Sequence, residues 1–178
     1  MNAIISACET GVLKEVAEIV LVFSNKIDAP GLDTAHAAGL TTIASSSKGK
    51  KRAVFDQEVV DMLSTEQPDY IILAGYMRVL SSVLVEAYEG RIINIHPADT
   101  RQHQGLNGYD WAFEEGLTTT KITVHYVDEG LDTGRIIGQY PVDLHGANSL
   151  EEVKRRGLAV EHVCYSAAIK QVLEQGAS

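Results

Sequence analysis

A chain of 178 residues, 45% of them hydrophobic, is long enough to bury one substantial core. Its 24 acidic side chains against 15 basic ones, a formal charge of −9, disfavour non-specific nucleic-acid binding, which needs basic surface against phosphate. Apolar runs such as Ile71-Ile72-Leu73-Ala74 fall far short of the roughly 20 residues that span a bilayer. Met1-Asn2-Ala3-Ile4-Ile5 lacks the basic start and cleavage site of a secretory signal, so no membrane attachment and a cytoplasmic setting are expected.

Ile4, Ile5 and Cys8 recur at helical spacing over residues 3–10, with Gly11 placed to supply a left-handed stop. Residues 19–23 are a β-branched run ended by Ser24-Asn25, and residues 41–44 are a second, weaker one. Between them residues 32–38 read as a short helix closed by Gly39, near the size of a strand-helix-strand unit. Phe55, Val59, Met62 and Leu63 mark one face of a helix that Pro68 ends; residues 70–74 form the next strand, and residues 83–88 a helix with Gly90 behind it. An apolar strand follows, Arg91-Ile92-Ile93-Asn94-Ile95-His96, stopped by Pro97.

Residues 98–108 are polar and contain glycine, which predicts an exposed loop forming a substrate wall ahead of a helix over 109–115. Residues 121–127 and 135–142 each alternate with period two, predicting an antiparallel pair joined through 128–134. Ser149 with Glu152 gives a capping-box pattern, opening a last helix with Val160, Cys164, Ala167 and Ala168 toward the core. Alternating strands and helices predict one domain over 1–178, an α/β fold with a mostly parallel sheet extended by the late antiparallel pair. Cys8 and Cys164, without CxxC spacing, read as unpaired thiols.

Asn94 and His96 sit two residues apart at a strand end and so share a face. An amide and an imidazole there can donate hydrogen bonds to an oxyanion that develops as a carbonyl is attacked. Asp132, between Gly130 and Gly134, could hold the imidazole charged or relay protons through water. Spacing alone leaves two readings equally open, an active site or groups that merely tether loop backbone. A metal cluster of His96, His103 and His125 with Asp99 and Asp132 is disfavoured, because no pair has a recognised ligand spacing.

At these residues the chain resembles the folate-dependent formyltransferases, most nearly those acting on glycinamide ribonucleotide, over essentially its whole length. The matching segments are Phe23-Ser24-Asn25-Lys26, Leu73-Ala74-Gly75-Tyr76-Met77-Arg78-Val79-Leu80-Ser81, Ile93-Asn94-Ile95-His96-Pro97, Thr123-Val124-His125-Tyr126-Val127, Leu131-Asp132-Thr133-Gly134 and Glu161-His162. The resemblance implies a Rossmann-like sheet with helices on both faces and a formyl group passing from 10-formyltetrahydrofolate to the amine of 5-phosphoribosylglycinamide, in purine biosynthesis, without a metal. It makes Asn94, His96 and Asp132 catalytic. It places the folate co-substrate against Met77, Arg78, Val79, Leu80, Asp128, Glu129 and Leu131, with its glutamate tail near Arg52. It puts Glu161 on the glycinamide substrate and gives His125 a supporting role. Without that likeness, Arg52 reads as part of a solvated basic turn, Glu161 as an exposed helix residue and His125 as a structural histidine.

Two departures from the family pattern stand out. Members usually begin with a strand and a Gly-x-Gly-Ser-Asn type turn that cradles the substrate phosphate, whereas this sequence opens in the following helix. The expectation is therefore a domain incomplete at its amino end, lacking that strand and phosphate loop, with a homodimer or a complementing amino-terminal segment as possible partners. After His96-Pro97 the family often continues Ser-Leu-Leu-Pro, and here stand Ala98-Asp99-Thr100-Arg101. The alternative functions are a formyltetrahydrofolate deformylase, another folate-dependent formyltransferase, or a catalytically weak folate-binding fragment.

Overall fold

The computed structural model describes residues 1–176 and divides into two compact units, Met1–Ile92 and Ile93–Ser178. The first unit opens with α1 (Asn2–Glu9), followed by β1 (Val22–Ser24), α2 (Pro30–Ala37), β2 (Thr42–Ala44), α3 (Arg52–Glu66), β3 (Ile71–Ile72) and α4 (Ser82–Ala87). β1 and β2 pair in parallel, from Val22 with Thr42 to Ser24 with Ala44, as the strand-helix-strand reading requires. β1 is shorter than the apolar run 19–23, because a strand extends only where its neighbour supplies bonds, and β2 supplies three residues.

Phe55, Val59 and Leu63 bury the core face of α3, with Met62 at its margin. The helix ends at Glu66, two residues before Pro68, and its cap Gln67 takes a left-handed φ of 47° and donates to the Leu63 carbonyl. Gly11 acts differently from the expectation. It has no positive φ, and α1 ends on Thr10 at φ −136°; a Cβ at Gly11 would lie 2.8 Å from the Ala7 Cα. Close approach of the chain, not a left-handed turn, is what requires a glycine there.

The second unit is built on β4 (Ile92–His96), α5 (Gly108–Glu114), β5 (Thr119–Tyr126), β6 (Ile136–Asp143) and α6 (Leu150–Gly176). β5 and β6 form the expected antiparallel pair, and β4 also pairs antiparallel with β5. β5 is buried on both faces: Ile122 and Val124 fill the apolar side, and Thr123 and His125 are equally enclosed on the other. The apolar side joins a core of Tyr109, Ala112, Val142, Leu144, Val153 and Cys164. Burial pushes the Cys164 thiol up to about 12, which leaves it an unreactive core group.

The Ser149 hydroxyl accepts the Glu152 N–H at 3.2 Å, as a capping box requires, while the Glu152 carboxylate turns instead to Arg155 and Arg156. The inward stripe of α6 runs through Val153, Gly157, Cys164, Ala168 and Val172. Ala167, expected on it, is exposed, because it lies one residue off the four-residue step from Cys164 to Ala168. No helix among the described residues is long and apolar enough to cross a membrane.

Candidate active site

Register between β4 and β5 creates the site. Asn94 lies opposite His125 and His96 opposite Thr123, so the two polar positions of β4 meet the polar face of β5. Asn94 Nδ2 lies 3.5 Å from His125 Nε2, and His125 Nδ1 donates to the Tyr126 carbonyl at 2.8 Å. His125 is thereby oriented through both ring nitrogens while only 2% exposed.

The connection from β5 to β6 brings in the carboxylate. Asp128 accepts from the Gly130 N–H and the Thr133 hydroxyl, which folds the loop on itself. A Cβ at Gly134 would collide with the Tyr126 carbonyl, so the loop can close against β5 only with glycine there. Asp132 then takes a left-handed φ of 54°, a conformation aspartate tolerates better than most residues. Its Oδ2 lies 3.3 Å from His96 Nδ1 and accepts the Gly105 N–H at 2.8 Å; its Oδ1 lies 3.5 Å from His125 Nε2.

His96 Nε2 donates to the His103 carbonyl at 3.0 Å. Both nitrogens of His96 thus face acceptors, an arrangement fully satisfied only by the doubly protonated ring. Burial opposes that charge and lowers the His96 pKa, against the pull of Asp132 and the His103 carbonyl. Burial also works to raise the Asp132 carboxyl, but the bonds from His125 and Gly105 and the neighbouring imidazoles outweigh it and hold it below its ordinary range. The site therefore pairs an ionised carboxylate with a buried imidazole whose neutral form burial favours and whose charged form that carboxylate supports, an arrangement suited to moving protons.

Each of the other residues expected at a site has its own surroundings. Arg52 is exposed at the start of α3. Met77 and Val79 are exposed, Leu80 is buried, and the Arg78 guanidinium lies over the Phe55 ring at 4.8 Å. Asp56, fully buried, accepts from the N–H and the hydroxyl of Ser81 and so ties the end of this segment to α3. Asp128, Glu129 and Leu131 are exposed in the connection after β5. Glu161 accepts from the Tyr109 hydroxyl; burial pushes its carboxyl up, and the Tyr109 bond pulls the other way. His36, His145 and His162 are exposed. Among the described residues, no three His, Cys, Asp or Glu side chains are grouped to hold a metal ion.

Residues 1–169 match the family described as formyl transferase. The chain belongs to that family. It is 37% identical to phosphoribosylglycinamide formyltransferase of Bacillus subtilis (strain 168) over 158 residues, 88% of this chain and 81% of that protein. To the Escherichia coli (strain K12) protein of the same name it is 36% identical, over 95% of this chain and 79% of that one. Among solved structures, phosphoribosylglycinamide formyltransferase from Bacillus halodurans superposes with a TM-score of 0.92 at 35% identity, covering 98% of this chain and 90% of that one. The α/β fold expected from the alternating elements is therefore that of the formyl transferases.

Within this formyl transferase the loop after β4 is exposed at Arg101, Gln102, Gln104, Leu106 and Asn107, as its polar composition predicts, but its first residues are not. Ala98, Asp99 and Thr100 are buried, because Asp99 finds charged and amide partners on β5 and β6. Sequence reasoning also missed the Tyr109 contact with Glu161, across 52 residues of chain. The period-two alternation of Lys121, Thr123 and His125 did carry a signal, a polar face on a strand whose other face is wholly apolar.

Proposed function

We propose that this chain transfers the formyl group of 10-formyltetrahydrofolate to the amine of 5-phosphoribosylglycinamide, as a cytoplasmic enzyme of purine biosynthesis. The observation that carries the reading is the contact of Asp132 with His96 at the end of β4, with Asn94 on the same strand face. The neutral amine attacks the formyl carbon, and the carbonyl oxygen gathers negative charge. Asn94 and His96 supply N–H donors to that oxyanion, worth about 10²–10³ in rate for one well-aimed donor. His96 Nε2 is already bonded to the His103 carbonyl, so the substrate oxygen takes over or shares that proton. Asp132, kept ionised by its donors, supports the imidazolium and accepts the proton that the attacking nitrogen must lose. The proton then passes to the leaving folate nitrogen as the carbon–nitrogen bond breaks.

The exposed Met77 and Val79 and the Arg78 backbone, next in sequence to the buried Leu80, offer apolar surface and peptide groups for a pterin. In the second unit, Asp128, Glu129 and Leu131 expose polar and apolar groups of their own for the folate co-substrate. Arg52 is a free-standing cation for the glutamate tail. Glu161, fixed by Tyr109, serves as an acceptor for polar groups of the glycinamide substrate, and His125 aligns Asn94 and Asp132. The test is incubation with 10-formyltetrahydrofolate, with and without glycinamide ribonucleotide. Tetrahydrofolate release that depends on the amine supports the reading; release without amine assigns a deformylase, and folate binding without turnover assigns a binding protein.

A further inference from the structure

Asp99 is a charged residue only 6% exposed, in a position where an apolar side chain would avoid the desolvation of a carboxylate. Its partners account for its placement. Oδ2 accepts from Lys121 Nζ at 2.8 Å; Oδ1 accepts from Gln139 Nε2 at 2.9 Å and from the Arg101 N–H at 3.1 Å. Gln139 Nε2 also donates to the Thr123 hydroxyl at 3.1 Å, and that hydroxyl donates to the Ala98 carbonyl at 2.7 Å. Lys121 and Thr123 belong to β5, and Gln139 is the cross-strand partner of Thr123 on β6. The start of the loop is therefore bolted to both strands of the hairpin.

The same residue shapes the backbone that reaches His96. The Asp99 carbonyl accepts the N–H groups of Gln102 at 2.8 Å and His103 at 3.0 Å, making a tight turn. That turn presents the His103 carbonyl to His96 Nε2. On its far side the His103 ring stacks on Trp111 at 4.9 Å and 12°, and its Nε2 donates to the Leu106 carbonyl at 2.9 Å. Side-chain bonds at Asp99 and ring packing at His103 thus fix the two ends of one turn.

We propose that Asp99 is a positioning residue for formyl transfer: by bracing residues 98–103 against β5 and β6 it holds the His103 carbonyl on His96 Nε2, and so keeps a proton on the nitrogen that faces the substrate oxygen. The proposal rests on His96 being the oxyanion donor. Lys121 and Gln139 act one step further out, through Asp99.

Asp99→Asn and Asp99→Leu test it, the second because an apolar side chain preserves burial while removing every acceptor. Nitrogen-15 NMR of the His96 ring in the free protein is expected to show a larger share of proton on Nε2 in the parent than in Asp99→Leu, where the balance moves toward Nδ1 and Asp132, with Asp99→Asn between. Kinetically, Asp99→Leu should lower kcat about tenfold or more with both KM values within about twofold, since small misplacements of reacting groups act on turnover. Asp99→Glu should restore part of the loss. An unchanged tautomer with unchanged kcat overturns the proposal, as does a raised KM with kcat intact. A parent that moves no formyl group, yet whose His96 tautomer shifts in Asp99→Leu, upholds the bracing and overturns only the assigned reaction.

Discussion

In the unit Met1–Ile92, the residues facing solvent around 77–80 rest on apolar packing: Arg78 lies over Phe55, Met77 and Val79 are exposed, and one fully buried carboxylate, Asp56, secures Ser81. In the unit Ile93–Ser178, by contrast, His96, Asp99, Thr123 and His125 are all buried, each tied to two or more polar partners. Under the proposed function, with folate binding assigned to the first segment and proton transfer to the second, the contrast follows from what each task demands. A binding surface needs accessible area on a firm base, and exposed side chains are held loosely. Moving a proton needs donors and acceptors whose directions do not wander, and enclosed, fully bonded groups supply that at the cost of desolvation.

The largest expected break comes from Asp132→Asn, which keeps shape but removes charge. It should lower kcat about 10²–10⁴-fold, the usual span for a lost acid–base group, with an unchanged circular dichroism spectrum. Turnover near that of the parent would remove Asp132 from the chemistry and erase the distinction between the units. Phe55→Ala should act in the opposite sense. It empties a fully buried ring site that also contacts Phe23 and Arg78, so stability falls by about 3–5 kcal/mol in urea unfolding. A lowered kcat at saturating substrate with an unchanged urea midpoint would contradict the packing role.

Acid should reveal the polar unit through Asp99, whose carboxyl burial tends to raise but whose Lys121 and Gln139 bonds hold down at about 2. A folded-state pKa below the unfolded value gives stability that is complete above about pH 4 and lost as pH falls toward 2. With Lys121 partly open to solvent, the contribution is on the order of 1 kcal/mol. His96 works in the same direction, since its pKa is lowered from 6.5 and its neutral form is the one folding favours. Denaturant unfolding at pH 7 and pH 3 should therefore show a smaller acid loss in Asp99→Asn than in the parent; equal losses would remove Asp99 as a source. The smallest effect belongs to Arg52→Ala. An exposed cation contributes at most about 1 kcal/mol, so the KM for a glutamylated folate should rise no more than about fivefold, less in high salt, with kcat unaffected.

Much of this was legible in the chain itself. Helical spacing at Phe55, Val59 and Leu63, the glycine after α2, and the alternation over 121–127 and 135–142 set the elements, because periodicity reports which face must leave water. Asn94, His96 and Asp132 could be picked out by residue type, position and family likeness, and the fold brings them together. Errors fell where a local signal has more than one cause. The position of Gly11 predicts a left-handed stop, and the residue instead permits close approach to Ala7; the polar composition of 98–108 predicts solvent exposure, and its start at Ala98, Asp99 and Thr100 is buried.

The sequence by itself determined the order and kind of the elements, the polar pair at the end of β4, and the carboxylate in the following hairpin loop. Tertiary structure decided which partners those groups have. Register between β4 and β5 set Asn94 beside His125, the hairpin gave Asp99 its lysine and glutamine, and the fold of α6 set Glu161 against Tyr109. Such contacts join residues 22 to 52 positions apart, and their hydrogen bonds depend on distances that no local pattern encodes.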